Sequence, residues 1–221
     1  MSLSDIKLAD IDSCNMLNKD LLNTGDLILC HCQKDGKLDP GLDGVIEEFT
    51  HSPFEHAAII LRDPPWLDRK GIYVYQSGSG PNNYPDVMNG NLCGVTLNYF
   101  DDFIMNRSYV CIRSMKGVTW NNKTWARFKK AFDKSHGKPY DSKPCDWCCT
   151  GIWSFLCCPC INNFFCRRQT KRFWCSALVW YIYVKMGFIG SNTDWSDKTP
   201  AQLSILELIP PSELGRIWRY N

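Results

Sequence analysis

The chain has 221 residues, which suits one domain with an ordinary hydrophobic core. Acids and bases are interspersed and the net charge is only +2, so the composition argues against nucleic acid or another polyanion as a partner. The first residues mix charged and apolar side chains, unlike a signal peptide, and no apolar stretch reaches the ~18–20 residues of a membrane span. We therefore expect a cytoplasmic protein in a reducing compartment, whose thirteen cysteines are thiols, metal ligands or lipidation sites and not a disulfide framework.

Apolar runs and turn-forming residues predict an α+β fold. Residues 1–23 show a loose helical pattern and are predicted to form an N-terminal helical arm, followed by one domain over residues 24–221. Apolar or alternating runs predict about five short strands, at residues 24–30, 56–61, 71–76, 95–97 and 109–113. Further helices are predicted at residues 42–50, 99–105 and 120–134, the last capped by Thr119. The tail after residue 206 is expected to pack back on the domain.

A helix late in the chain carries the first candidate for chemistry. Residues 175–186 contain no proline, are apolar on nearly every side and end at Gly187, a pattern typical of a buried helix with a glycine C-cap. Cys175 occupies the first turn, where backbone N–H groups and the positive end of the helix dipole favour a thiolate. The alternative is a plain buried thiol, so a nucleophile requires a partner base.

Four histidines could supply that base. His56 opens the apolar strand 56–61, which would place its imidazole at a strand start beside the core, and it is the predicted base. His31, His51 and His136 lie at a strand end, in a loop and in a polar turn, where solvated positions are expected. Gln76, on the next predicted strand, could hydrogen-bond the imidazole and fix its tautomer, although a strand glutamine is also compatible with an exposed polar residue.

Residues 145–170 break the pattern, because seven cysteines lie among aromatic residues and a basic cluster follows. Membrane contact or S-acylation is the first interpretation. The second treats the cysteines as small apolar residues that stabilise an insertion. The third is a zinc site, although the two CxxC pairs are closer together than in a typical zinc ribbon. Its four ligands would be Cys145, Cys148, Cys157 and Cys160.

These pieces, in this order, resemble the permuted papain-like cysteine hydrolases of the NlpC superfamily, with the base before the nucleophile in the chain. The pattern is most similar to the YiiX/YaeF-type amidases of bacteria and large DNA viruses. Matching segments succeed one another at residues 24–28, 52–60, 73–76, 94–97, 137–141, 173–179 and 199–203. Two features depart from the family: Gln76 stands where relatives commonly have an acid, and segment 145–170 is interpreted as an insertion.

The resemblance implies a circularly permuted papain-like fold, a small antiparallel sheet or partial barrel packed on helices, with the nucleophile at the N-terminus of a buried helix. It implies a thiol hydrolase in which Cys175 attacks an amide (peptide or N-acyl) or lipid ester, His56 is the base and Gln76 orients His56. The side chains predicted to contact substrate are Tyr140, Trp174 and Ser176. This chemistry needs no metal or organic cofactor.

Two alternatives stay open at this point. A related branch, similar to lecithin-retinol acyltransferase, transfers acyl groups, so a lipid acyltransferase is one of them. The other is a catalytically weakened or inactive module, membrane-associated or packaged as a virion structural protein, in which Gln76 marks lost activity. The enzymatic and structural classes differ in whether Cys175 is an activated nucleophile.

Overall fold

A computed structural model describes residues 18–31, 54–79, 84–105, 107, 109–141, 170–196 and 198–220. The predicted helix at 42–50 lies outside these residues, as do nearly all of the Cys-rich segment and residues 1–17 of the predicted arm. The described end of that arm is a single 3-10 turn, Lys19–Leu21. The described chain is an α+β fold, with one six-stranded antiparallel sheet and four α-helices.

Neighbouring strands of the sheet are antiparallel throughout, in the order β4-β3-β2-β1-β5-β6. Their bounds are Leu27–His31 (β1), His56–Arg62 (β2), Ile72–Gly78 (β3), Gly94–Tyr99 (β4), Tyr109–Lys116 (β5) and Glu213–Tyr220 (β6). The five predicted strands are all present. The sixth, β6, comes from the tail that was expected only to pack back on the domain.

Helix α1 spans Phe100–Met105, α2 spans Asn122–Ser135, α3 spans Cys175–Met186 and α4 spans Pro200–Ser204. The prediction that Thr119 caps α2 is wrong, because the Asn121 side chain accepts the Thr124 N–H at 3.0 Å and the helix begins two residues later than expected. The bounds of α3 are as predicted, and every residue in it except Lys185 is buried. Gly187 ends α3 with φ 78°, a conformation that favours glycine.

Alternation along the strands gives the sheet two apolar faces. The larger core lies between the sheet and helices α2 and α3, and includes Ala57 and Ile59 from β2 with Leu178 and Ile182 from α3. The smaller core lies on the opposite face, and its members are Leu22, Ile28, Cys30, Ala58, Ile60, Val74, Tyr84, Phe100, Phe103, Val110 and Ile112. The position of a polar residue within a strand therefore determines which of the two cores its side chain faces.

The C-terminal segment is fastened to the sheet by one buried arginine. Arg113 of β5 is 8% exposed, and its guanidinium donates to five backbone carbonyls at 2.8–3.1 Å. The acceptors belong to Leu203, Ser204, Leu206, Leu214 and Gly215. These bonds satisfy carbonyls at the end of α4 and the start of β6, so both elements depend on Arg113.

The turn before β1 links the sheet to α3. Asp26 is fully buried and accepts the backbone N–H groups of Asn23 at 2.8 Å and Met115 at 2.7 Å. Burial raises the pKa of Asp26 to about 6, although these two hydrogen bonds oppose the rise. The Tyr183 hydroxyl of α3 donates to the Gly25 carbonyl at 2.9 Å. The C-terminal end of α3, the helix that begins at Cys175, is thus fixed against the turn before β1.

Candidate active site

Cys175 is the first residue of α3 and is 5% exposed. Its Sγ lies 3.6 Å from the backbone carbonyl oxygen of Glu55, the residue that immediately precedes His56. The N-cap residue, Trp174, makes no side-chain hydrogen bond to the first turn of the helix. The thiol therefore lies at the N-terminal end of both α3 and β2.

His56 is the first residue of β2, paired with Cys30 of β1, and it is buried. Its ring lies 6.1 Å, between centroids, from that of Phe103 in the smaller core. Because α3 packs against the other face of the sheet, Cys175 and His56 reach the end of β2 from different sides of the sheet. Both residues therefore lie near the N-terminal end of β2, Cys175 beside Glu55 and His56 beside Phe103.

Gln76 of β3 is fully buried, and its Oε1 lies 2.9 Å from Nε2 of His56. Gln76 and His56, which the sequence places on successive strands, are thus within hydrogen-bonding distance. The hydrogen bond occupies one ring nitrogen of His56 and leaves Nδ1 as the nitrogen for a second partner.

Burial and a nearby charge keep the His56 imidazole neutral. Burial lowers its pKa well below 6.5, the positive charge of Arg107 lowers it further, and the hydrogen bond with Gln76 acts in the opposite direction. Arg107 lies over the Phe103 ring at 5.1 Å, and Phe103 in turn contacts His56. At neutral pH His56 is therefore in the form that can accept a proton.

Two other buried thiols, Cys30 and Cys111, are held in the protonated form. Burial raises the pKa of Cys30 to about 12 and that of Cys111 to about 12. Both are therefore protonated at neutral pH and poor nucleophiles. Cys93, by contrast, is exposed and serves as an internal reference for thiol chemistry.

Asn98 and Thr96 of β4 extend the polar contacts of Gln76, and the sequence interpretation missed them. Gln76 Nε2 donates to Asn98 Oδ1 at 3.0 Å, and the Thr96 hydroxyl donates to the same oxygen at 2.9 Å. Asn98 Nδ2 donates to the backbone carbonyl of Pro85 at 3.1 Å. The sequence did contain a signal for them: two polar residues occupy alternate positions of an otherwise apolar strand, and alternation places them on one face of the sheet.

Trp174 and Ser176 flank the thiol, and both donate to the Lys198 carbonyl, from the indole at 3.1 Å and the hydroxyl at 2.6 Å. On the other side, the Ser77 hydroxyl of β3 donates to the Phe173 carbonyl at 2.6 Å. These contacts hold the chain on both sides of Cys175. Trp174 and Ser176 thus have a positioning contact, and their role in substrate binding stays a prediction.

Tyr140, the third residue predicted to contact substrate, forms an isolated parallel bridge with Phe173, two residues before Cys175. Its side chain is half-buried and packs against the larger core. The backbone there is held by the Asp141 N–H, which donates to the Phe173 carbonyl at 3.1 Å. The residue therefore lies close in the fold to the start of α3.

The expectation that His136 is solvated is wrong. Its Nε2 lies 2.8 Å from Oδ2 of Asp86, its side chain is 13% exposed and its ring stacks on Phe132 at 4.7 Å. Asp86 also accepts three backbone N–H groups of its own loop and β4, so His136 helps to anchor that loop. The side chain of His31 and all of His51 lie outside the described residues.

The four cysteines of the proposed zinc site also lie outside the described residues. Within the part of the chain that is described, no group of three or more His, Cys, Asp or Glu side chains could hold a metal ion. The helices of that same part lack the length and apolar character needed to cross a membrane. No protein-family model and no curated protein matches the sequence.

Proposed function

We propose that this protein is a thiol hydrolase of the permuted papain-like type, with Cys175 as nucleophile, His56 as base and Gln76 as the residue that orients the base. The observation that carries the proposal is the position of the Cys175 thiol, 3.6 Å from the carbonyl that precedes His56, while His56 is bonded to Gln76 at 2.9 Å. Cys175 thus lies beside the residue that precedes His56, and the three residues follow one another in the chain as base, orienting residue and nucleophile.

In the proposed reaction Cys175 Sγ attacks an amide or ester carbonyl, and Nδ1 of His56 takes the thiol proton. His56 then returns the proton to the leaving amine or alcohol as the C–N or C–O bond breaks. Water, deprotonated by His56, hydrolyses the resulting thioester and regenerates the thiol. The N–H groups of the first turn of α3, including that of Cys175, stabilise the oxyanion.

The electrostatics of His56 favour proton transfer during attack over a resting ion pair. Burial and Arg107 lower the pKa of His56, and the neutral amide of Gln76 gives an imidazolium less stabilisation than a carboxylate would. The imidazole is therefore neutral before the attack, and His56 acts as a general base.

The proposed substrates are a peptide or N-acyl amide, or a lipid ester, and an acceptor other than water would make the same site an acyltransferase. Cytoplasmic location and membrane contact through residues 145–170 remain predictions from the sequence. The acyl-enzyme is common to all of these substrates, so it is the species to detect.

We expect p-nitrophenyl acetate and p-nitrophenyl octanoate to acylate Cys175 in the intact protein, with an adduct at that residue in peptide mass spectra and release of p-nitrophenol. Cys175→Ser should abolish the adduct and the turnover. The matched control is Cys93→Ser, which removes an exposed thiol outside the site and should leave both unchanged. Turnover that survives in Cys175→Ser, or acyl groups found on Cys93 and not on Cys175, would contradict the proposal.

A further inference from the structure

We infer that Asn98 is a positioning residue which, through Gln76, determines which ring nitrogen of His56 receives the thiol proton. The inference rests on the proposed function, because it concerns the base of that reaction. It deepens that function by tracing the orientation of the base to a backbone carbonyl in the loop before β4. The contacts involved run from Pro85 through Asn98 and Gln76 to His56.

Two backbone carbonyls fix the orientation of the Asn98 amide. A backbone carbonyl can only accept, so Pro85 O at 3.1 Å requires the NH₂ group of Asn98. Tyr84 O, at 3.5 Å from the same nitrogen, makes the same requirement. A flipped Asn98 would set its oxygen against two carbonyl oxygens, so the backbone fixes Oδ1 on the side of Gln76. The Thr96 hydroxyl, which can donate or accept, donates to that oxygen at 2.9 Å in this orientation.

The orientation of Asn98 in turn fixes that of Gln76 and the tautomer of His56. Asn98 Oδ1 can only accept, so Gln76 must present its NH₂ group there, which turns Oε1 toward His56. Oε1 in turn can only accept, so Nε2 of His56 must carry hydrogen. A neutral imidazole has a single N–H, and Nδ1 is therefore the basic nitrogen.

Because these side chains are buried, the hydrogen bonds among them determine the orientation of the Gln76 amide. Gln76, Thr96 and Asn98 are each 0% exposed, so bulk water does not supply alternative partners. A carboxylate in place of Gln76 could only accept and would orient His56 without help. An amide can present either a donor or an acceptor to His56, so a glutamine at this position requires a neighbour that fixes its orientation. Asn98 is that neighbour.

The direct test is the tautomer of His56 in the wild-type protein, read from imidazole ¹⁵N chemical shifts in a selectively labelled sample. We expect one tautomer, protonated at Nε2. In Asn98→Leu we expect a second population protonated at Nδ1, and if the flipped amide reaches nine-tenths occupancy the acylation of Cys175 slows about tenfold. Thr96→Val, which removes only one donor to Asn98, should keep the wild-type tautomer.

A double substitution separates orientation from loss of structure. In the Gln76→Glu background, the acceptor faces His56 whatever Asn98 does, so adding Asn98→Leu should no longer slow acylation. A wild-type His56 protonated at Nδ1, or an equal loss of rate from Asn98→Leu in both backgrounds, would overturn the inference. A wild-type His56 protonated at Nε2 beside an unreactive Cys175 would instead overturn the proposed function and leave the tautomer assignment standing. The wild-type spectrum decides the tautomer even if the variants fold poorly.

Discussion

Replacing Gln76 with leucine is expected to slow acylation of Cys175 by about 10²-fold or more. The substitution removes the acceptor 2.9 Å from Nε2 of His56 and leaves that N–H in a buried apolar environment. The imidazole can then rotate or exchange tautomers, so Nδ1 is no longer fixed as the basic nitrogen. Single-turnover acylation with p-nitrophenyl acetate measures the change, with circular dichroism to verify folding. A folded Gln76→Leu protein that acylates at the wild-type rate would rule out this role for Gln76.

Gln76→Glu is the matched control, because it keeps the size and the acceptor for His56, although it adds a charge and loses the donor to Asn98 Oδ1. A carboxylate beside Nε2 stabilises the imidazolium, so the pKa of His56 should rise from its low wild-type position. The base is active only when neutral. The acid limb of the pH–rate profile, which should lie below pH 6.5 in the wild type, should therefore move to higher pH in Gln76→Glu. An unchanged acid limb would show that His56 does not control the rate.

Arg113→Ala is expected to lower the free energy of unfolding by about 3–5 kcal/mol, the largest stability effect that we predict. It leaves five carbonyls in the 203–215 segment without their donor, in a position that is 8% exposed. Arg113→Lys, with three donors on one nitrogen, should recover only part of the loss. Urea unfolding followed by fluorescence measures both variants.

The comparison variant for Arg113 is Arg216→Ala. Arg216 is exposed on β6 and lies over the Trp218 ring at 3.7 Å, a contact worth about 0.5–1 kcal/mol at an exposed site. If the two alanine variants lose the same stability, the C-terminal segment does not depend on Arg113.

The elements with strong local signals could be predicted from the sequence. The helix from Cys175 to Met186 has an uninterrupted apolar run and a glycine that fits the left-handed C-cap, so its C-terminal end was fixed locally. The strand that opens at His56 is apolar on both faces because both faces are covered by cores. The α+β class followed from these elements.

The sixth strand had no comparable local signal. Arg216 and Arg219 interrupt the apolar pattern of β6, and Gly215 lowers its strand propensity. Its place depends on pairing with β5, roughly a hundred residues earlier in the chain, and on the five bonds from Arg113. Such long-range pairing is not contained in a local window of sequence.

The elements that carry the candidate residues could be predicted from the sequence, and the geometry between them could not. The position of Cys175 in a helix and of His56 in a strand followed from local pattern. Their approach to the end of β2 from different sides of the sheet required the packing of α3 on the larger core. The contribution of Asn98 likewise depends on the pairing of β3 with β4, in which Gln76 is opposite Thr96.

The measurement that tests the central claim most directly is the pH dependence of iodoacetamide alkylation at Cys175, in the wild type and in His56→Ala. Peptide mass spectrometry resolves Cys175 from the other thiols, and exposed Cys93 is the reference within each sample. We predict that wild-type Cys175 reacts well below pH 8.5, near which a free thiol titrates, and that His56→Ala removes this advantage. A Cys175 that is inert, or that reacts equally with and without His56, would contradict the assignment of nucleophile and base.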